Sequence, residues 1–346
     1  MRFDKAKEAE KIRIWGEKIP GNTGESKQDI MHWDDSMSFQ DMFEKYPGVW
    51  DKSTDEIGDM RGNDTITYRE EIKDGYAGET YDDEPFLMPF LVPGSKIAVI
   101  SCPGGAYLSK SIANEGVDIA EFLNAAGISC FVLWYRSYPY KAPYMFLDLQ
   151  RAIRYLRFHA AEYGIAPDKI ATVGFSAGGN LSVVQATITR NRAITEFAPD
   201  YTPDEVDRVD GNTNAVGLVY PAVSVLGDKI QVVMNGKENY NDLAVRKSFG
   251  EQYETKNFVK EGDCPYFLCN AMDDEVIDAF LMVDFARALK EKGISAELHV
   301  FPYGGHGFGG CKPQPMPPIP GLNPPDLTAV SQWRELFVTW LKKLFG

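Results

Sequence analysis

The sequence predicts an α/β fold in which helices cover both faces of a mostly parallel sheet. From about Pro85 onward, strand-like apolar runs alternate with segments that have the apolar spacing of helices. At one of these junctions a glycine-rich turn, Gly174–Gly178, joins an apolar β-branched run to a segment that can continue as a helix. The chain has 346 residues, of which 44% are hydrophobic, and this is enough to bury a sizeable core.

The alternation predicts six strands and four longer helices. The strands are Lys96–Ser101, Ile128–Trp134, Lys169–Phe175, Asn214–Tyr220, Tyr266–Ala271 and Ala296–Phe301. The helices are Gly116–Ala126, Met145–Tyr163, Asp278–Lys292 and Ala329–Phe345. Gly164 is expected to cap the C-terminus of the second helix, and Asp278 the N-terminus of the third.

Two regions depart from the alternation. Residues 1–84 are predicted to be an N-terminal extension packed on the core, because residues 16–80 are acidic, polar and rich in turn formers. Residues 85–346 would form the α/β domain itself. Within it, residues 225–263 are polar and lie between two strands, so they are either a lid over a ligand site or an ordinary surface excursion.

Composition excludes several classes of function. A formal net charge of -14 disfavours binding to nucleic acid or to anionic membrane surfaces. The sequence has no apolar run of the roughly 18 residues that a membrane helix needs, and its start has no apolar signal region, so a cytoplasmic location is expected. Five cysteines and four histidines lack metal-ligand spacing, and neither a metal nor another cofactor is predicted.

The Gly174–Gly178 turn has the pattern G-x-S-x-G at a strand-to-helix junction. In that context the pattern is typical of a nucleophile elbow, a strained turn that holds a serine hydroxyl above the edge of a sheet. The glycines are needed because a side chain there would collide with the neighbouring strand and helix. The turn therefore predicts a serine hydrolase with Ser176 as its nucleophile.

The general base is found by elimination. Where such an elbow is present, the acid and then the histidine follow the serine along the chain, which leaves His299 and His306. His299 lies inside a predicted strand, whereas His306 lies in a glycine-flanked loop just beyond it. A histidine on a loop at the carboxyl end of a strand can reach the serine, so His306 is the predicted base.

The acid is expected in the loop that follows strand Tyr266–Ala271. It must accept a hydrogen bond from the histidine ring and stabilise the imidazolium as it forms. Asp273 and Asp274 are better placed along that loop than Glu275, and Asp278 is expected to cap a helix. Spacing alone does not separate the adjacent pair.

An oxyanion hole needs backbone N–H groups that face the developing negative charge. One is expected from Ala177, the residue after the nucleophile, and the other from a loop after an earlier strand. The glycines that follow Ser101 allow the backbone to approach a ligand closely. Gly105 and Ala106 are the predicted donors in that loop.

Eight segments together have a known pattern: Cys102–Tyr107, Asn114–Gly116, Trp134–Arg136, Ala142–Pro143, Asp148–Arg157, Gly174–Leu181, Asp274–Ile277 and His306–Phe308. They resemble α/β-hydrolase esterases of the acetylxylan and feruloyl type, which are related to the hormone-sensitive-lipase-like carboxylesterases. The resemblance favours Asp274 as the acid, because the family's D-x-V-V segment carries it. Ala106 stands where the family has a third glycine but keeps its N–H, and Asn180 stands where histidine is commoner.

The resemblance implies a serine esterase that hydrolyses short-chain esters, acetyl above all, on carbohydrates such as xylo-oligosaccharides. A prolyl-oligopeptidase-type peptidase and a general carboxylesterase or lipase are the alternatives among hydrolases. A non-catalytic binding protein on the same fold is the alternative outside that class. The expected partner is a small-molecule or oligosaccharide ester, and a homo-oligomer is left open.

Overall fold

The computed structural model describes residues 10–22, 78–79, 84–107, 110–137, 140–228, 230–312 and 326–346. Their main feature is an eight-stranded sheet. Its strands are β1 (Ile12–Arg13), β3 (Phe86–Phe90), β4 (Ala98–Cys102), β6 (Ser129–Trp134), β7 (Ile170–Phe175), β8 (Ala215–Val219), β9 (Tyr266–Ala271) and β10 (Ala296–Phe301). A separate antiparallel pair is formed by β2 (Gly78–Glu79) and β5 (Lys110–Ser111).

The strand order in the large sheet is β1-β3-β6-β4-β7-β8-β9-β10. All neighbours from β6 to β10 are parallel, and β1 and β3 are antiparallel additions at one edge. The carboxyl ends of β4, β7, β8, β9 and β10 therefore meet at one edge of the sheet, where ligands bind in open α/β folds. The predicted mostly parallel sheet is confirmed.

Helices cover both faces of this sheet. They are α1 (Asp118–Ala125), α2 (Tyr144–Phe158), α3 (Ala177–Val184), α4 (Gln231–Asn235), α5 (Lys237–Tyr240), α6 (Leu243–Gln252), α7 (Ala279–Glu291) and α8 (Trp333–Phe345). One face of the sheet packs apolar residues against α2 and α3, and the other packs them against α1 and α8. No helix of the described residues is both long and apolar enough to cross a membrane.

The six predicted strands are present, and the bounds of β9 and β10 agree with those predicted. Asp278 caps α7 as predicted, since its carboxylate accepts a hydrogen bond from the N–H of Phe280. The predicted end of α2 is wrong. The helix ends at Phe158 because the chain then folds into tight turns, and Gly164 lies among them with φ at +69°.

The described residues of the segment 225–263 form the short helices α4, α5 and α6 and a 3₁₀ turn, Thr255–Phe258. This segment packs on the region around α2, because the N–H of Ala142 donates to the carbonyl of Met234 and the rings of Phe146 and Tyr253 lie 5.3 Å apart. Its role as a lid stays a prediction.

Residues 10–22 contact α2 and Arg136. The indole N–H of Trp15 donates to Asp148 at 2.9 Å, and Arg151 donates to the carbonyl of Ile14 at 2.7 Å. Asp148 also forms an ion pair of 2.7 Å with Arg136, and both side chains are 0% exposed. Arg136 donates in turn to the carbonyl of Pro20. Most of the remaining predicted extension lies outside the described residues, and the domain division at residue 84 stays a prediction.

Candidate active site

Ser176 lies between β7 and α3, in the sharp turn that the sequence predicts. Its φ of +51° is in a region that L-residues adopt rarely, and such strain is common at functional sites. The neighbouring glycines make the turn possible. A Cβ on Gly178 would lie 1.9 Å from the carbonyl oxygen of Cys102, and one on Gly174 would lie 2.2 Å from the carbonyl oxygen of Gly178. The strand, turn and helix therefore fit together only with glycine at these positions.

The structure brings Ser176, His306 and Asp274 together. The Nε2 atom of His306 lies 3.0 Å from the Ser176 hydroxyl oxygen. The Nδ1 atom of the same ring lies 2.9 Å and 3.1 Å from the two carboxylate oxygens of Asp274. If Nδ1 carries the proton and donates to the carboxylate, Nε2 is left to accept the serine proton.

The other candidates for the acid and the base, Asp273 and His299, make different contacts. Asp273 accepts a hydrogen bond from the N–H of Gly305 at 2.8 Å, so it holds the histidine loop (residues 303–311), while the imidazole is hydrogen-bonded to Asp274 and Ser176. The side chain of Asp274 is fully buried, and it also accepts from the N–H groups of Val276 and Ile277, which fixes its orientation. His299 lies in β10 and pairs with Glu297 at 2.9 Å.

The predicted oxyanion donors lie at the ends of β4 and β7. The oxyanion turn (residues 103–107) passes close to the nucleophile, since a Cβ on Gly104 would lie 2.9 Å from the Cβ of Ser176. Gly105 and Ala106 have φ values of +134° and +53°. Within the part of the chain that the structure describes, no acceptor is bonded to the N–H of Gly105, Ala106 or Ala177. These N–H groups are therefore available to a ligand.

A buried carboxylate whose role the sequence did not predict lies behind this turn. Glu115 accepts a hydrogen bond from the N–H of Gly104 at 2.5 Å and from the hydroxyl of Tyr220 at 2.8 Å. The Tyr220 ring packs edge-on against His306, with 4.9 Å between ring centroids. Burial raises the pKa of Glu115, while the two hydrogen bonds and the charge of His306 act in the opposite direction. The segment Asn114–Gly116 is the sequence signal that includes Glu115, and the place of Tyr220 directly after β8 is the signal for its partner.

Asn180 also links elements of the site. Its amide oxygen accepts from the hydroxyl of Tyr107 at 2.8 Å, and its amide nitrogen donates to the carbonyl of Ala222 at 2.8 Å. The N–H of Ala222 donates to the carbonyl of Ser176. An asparagine here thus connects the oxyanion turn with the loop after β8.

The cysteine thiols are not members of the triad, although Cys311 is the last residue of the histidine loop and Cys102 precedes the oxyanion turn. All five are free thiols, and burial raises the pKa of each one. In the described ranges, no three histidine, cysteine or acidic residues are grouped as metal ligands would be.

A family model described as BD-FAE matches residues 94–289, which is more than half of the chain. The chain belongs to the BD-FAE family. The matched range includes Ser176, Asp274 and the oxyanion turn, and it ends before His306.

Curated relatives of this BD-FAE protein include an acetylxylan esterase from Xylanibacter ruminicola, which is 30% identical over 219 residues. That alignment covers 61% of this chain and 41% of the relative. An endo-1,4-beta-xylanase B from Butyrivibrio fibrisolvens is 28% identical over 216 residues, covering 60% of this chain and 31% of the relative. The chain thus spans less than half the length of either relative.

Solved structures give the fold. An acetyl ester-xyloside bifunctional hydrolase from Caldicellulosiruptor lactoaceticus is 28% identical, with a TM-score of 0.61, and the match covers 75% of this chain and 88% of that one. Esterase 2 from Thermogutta terrifontis is 22% identical, with a TM-score of 0.59, and the match covers 79% of this chain and 93% of that one. The BD-FAE protein has the α/β-hydrolase fold.

Proposed function

We propose that this BD-FAE protein is a serine esterase that hydrolyses short-chain esters, principally acetyl esters, on carbohydrates such as xylo-oligosaccharides. The observation that carries the activity is the chain of hydrogen bonds from Ser176 through His306 to the buried Asp274. The names of the relatives, acetylxylan esterase and acetyl ester-xyloside hydrolase, support the substrate class. The five free thiols fit a reducing compartment, so the enzyme is proposed to be cytoplasmic.

In the acylation step, the Ser176 oxygen attacks the ester carbonyl carbon while His306 Nε2 takes the serine proton. The carbonyl electron pair moves to oxygen, where the N–H groups of Gly105, Ala106 and Ala177 bind the resulting oxyanion. The intermediate collapses by breaking the bond to the alcohol oxygen, to which His306 returns the proton. The products are the free alcohol and an acetyl ester of Ser176.

In the deacylation step, a water molecule takes the place of the alcohol. His306 accepts one proton from the water as its oxygen attacks the acetyl carbon, and the same N–H groups bind the second oxyanion. The bond to the serine oxygen then breaks, acetate leaves, and His306 protonates Ser176. Asp274 stays ionised throughout, because its role is to orient the imidazole and stabilise its charge.

The first test replaces the nucleophile. Ser176→Ala should lower kcat for p-nitrophenyl acetate by about 10⁶-fold and abolish labelling by a fluorophosphonate probe. Ser331→Ala is the matched control, because the hydroxyl of Ser331 donates to the carbonyl of Thr328 in the turn that precedes α8, outside the proposed machinery. Near-normal hydrolysis by Ser176→Ala would refute the assignment. Absence of probe labelling in the wild-type protein would favour a non-catalytic binding protein.

A substrate panel tests the ester class. Acetylated xylo-oligosaccharides should be deacetylated faster than p-nitrophenyl esters of longer acyl chains are hydrolysed. A preference for long acyl chains would indicate a general carboxylesterase or lipase. Cleavage of dipeptide amides would indicate a peptidase of the prolyl-oligopeptidase type.

A further inference from the structure

We propose that Glu115 is a positioning residue whose single carboxylate holds the oxyanion turn and the histidine loop in place around Ser176. Glu115 lies in a π-helical turn, Ala113–Val117, that leads into α1. Its side chain is buried, and the reaction does not require it to touch the substrate. Glu115 can act in this way only if the esterase function proposed above holds.

Both carboxylate oxygens are occupied by donors from different strands. Oε2 accepts from the N–H of Gly104, one residue before the predicted donor Gly105. Oε1 accepts from the hydroxyl of Tyr220, which follows β8. The Tyr220 oxygen itself accepts from the N–H of Gly309, so its hydrogen is directed to Glu115. One side chain thus connects the oxyanion turn, the loop after β8 and the histidine loop.

The histidine loop has further contacts with the same turn of helix. The side chain of Asn114 donates to the carbonyl of Gly307 at 2.9 Å and accepts from the N–H of Gly310 at 2.9 Å. The backbone also lies against Glu115 and Tyr220, since a Cβ on Gly309 would lie 2.9 Å from the Cγ of one and the hydroxyl of the other. Hydrogen bonds therefore hold the backbone of the histidine loop, which contains His306, on both sides of residue 308.

A carboxylate suits these contacts better than its amide analogue. Two donors converge on two oxygens, and a carboxylate can accept from both, whereas the amide of glutamine has one acceptor and one donor group. Glu115→Gln would therefore present an N–H to either Gly104 or Tyr220. Losing one of these bonds would release either the oxyanion turn or the support of His306, because a buried polar group left without a partner is costly.

The test compares Glu115→Gln with Asp263→Asn in the full-length protein. Asp263 is also a buried acid, paired with Arg190, but it precedes β9 and so lies at the amino edge of the sheet, away from Ser176. Glu115→Gln should lower kcat for p-nitrophenyl acetate by up to about 10²-fold with KM unchanged, which is the cost of a misplaced catalytic group. Asp263→Asn should lower the melting temperature and leave kcat unchanged.

Tyr220→Phe is the second variant, and it keeps the test decisive if Glu115→Gln does not fold. It removes the hydroxyl that joins Glu115 to Gly309 but keeps the bond to Gly104, so kcat should fall by a smaller factor, again at constant KM. Because Glu115 and Tyr220 act through one hydrogen bond, the losses in the double variant should be less than additive.

Other results would count against a positioning role for Glu115. Wild-type kcat in Glu115→Gln, or a rise in KM in place of a fall in kcat, would overturn the positioning role. The positioning role would also be overturned if Asp263→Asn lost kcat as well. In that case the loss of kcat would be in the same proportion to the loss of thermal stability in both variants, and a general loss of stability would explain it. In all these cases hydrolysis and probe labelling by the wild-type protein would still support the esterase function, so the two failures are distinguishable.

Discussion

Gly178→Ala is the substitution whose effect the structure defines most closely. The new Cβ would lie 1.9 Å from the carbonyl oxygen of Cys102 and 2.6 Å from that of Pro103, both of them backbone atoms. Side-chain carbons do not approach within 3.0 Å of other atoms, so the helix and the turn must separate by about 1 Å. Overpacking of this kind typically costs about 1–3 kcal/mol of stability.

The same displacement should affect the reaction. Cys102 and Pro103 lead directly into Gly105 and Ala106, so a shift of about 1 Å would move the predicted oxyanion donors and cost about 10²-fold in kcat. The assay is hydrolysis of p-nitrophenyl acetate, beside the free energy of unfolding from urea titration. Gly16→Ala is the control, since its Cβ would meet only a carboxylate oxygen of Asp204, at an ordinary 3.9 Å.

The reasoning would be refuted by a Gly178→Ala variant that keeps the kcat of the wild-type protein. It would equally be refuted if the loss of kcat were no larger than the fraction of unfolded protein in the assay. Either result would mean that the approach of α3 to the Cys102–Pro103 backbone does not set the position of the oxyanion donors.

Three further outcomes are expected. Asp274→Asn should lower kcat by about 10⁴-fold. Asp273→Asn keeps an acceptor for the N–H of Gly305, so its kcat should stay close to that of the wild type. Equal losses of kcat would contradict the choice of Asp274. Iodoacetamide at about pH 8 should leave activity intact, because burial raises the pKa of every cysteine, as for Cys102 to about 12. Inactivation would mean that one of these thiols is reactive and that its modification disturbs the site. The raised pKa of Glu115 means that the folded state holds its proton more tightly than the unfolded state. The stability of the wild type relative to Glu115→Gln should therefore be greatest below pH 4.5 and decline as pH rises through the raised pKa, as measured by urea titration; a relative stability that increased with pH would contradict the direction of the shift.

Much of the fold could be predicted because most strands of the parallel part of the sheet are apolar runs with clear ends. Strand β9 is bounded by Pro265 and by the acidic residues after Met272, and its predicted limits agree with the structure. Strand β3 was not predicted. It has only five residues, includes Pro89, and pairs antiparallel with β6 at an edge, so neither alternation nor a following helix indicates it.

Site residues could be predicted from the sequence where a motif, or the small number of candidates, identifies a single residue. Ser176 and His306 follow from the elbow and from the scarcity of histidines. Asp273 and Asp274 could not be separated by spacing, because both follow β9 and differ only in which way the carboxylate faces. The contacts of Glu115 could not be predicted either, since they depend on loops from three strands that meet only in the folded chain.

The buried pair of Arg136 and Asp148 has a consequence for where this domain can be cut. The guanidinium and the carboxylate complete their hydrogen bonding with Pro20 and Trp15, which precede the sheet's main strands by more than sixty residues. A shortened protein that began at residue 85 would leave two charged groups in the interior short of partners, and such groups are strongly destabilising. The smallest version expected to fold therefore begins before Trp15, so that it keeps both of these partners.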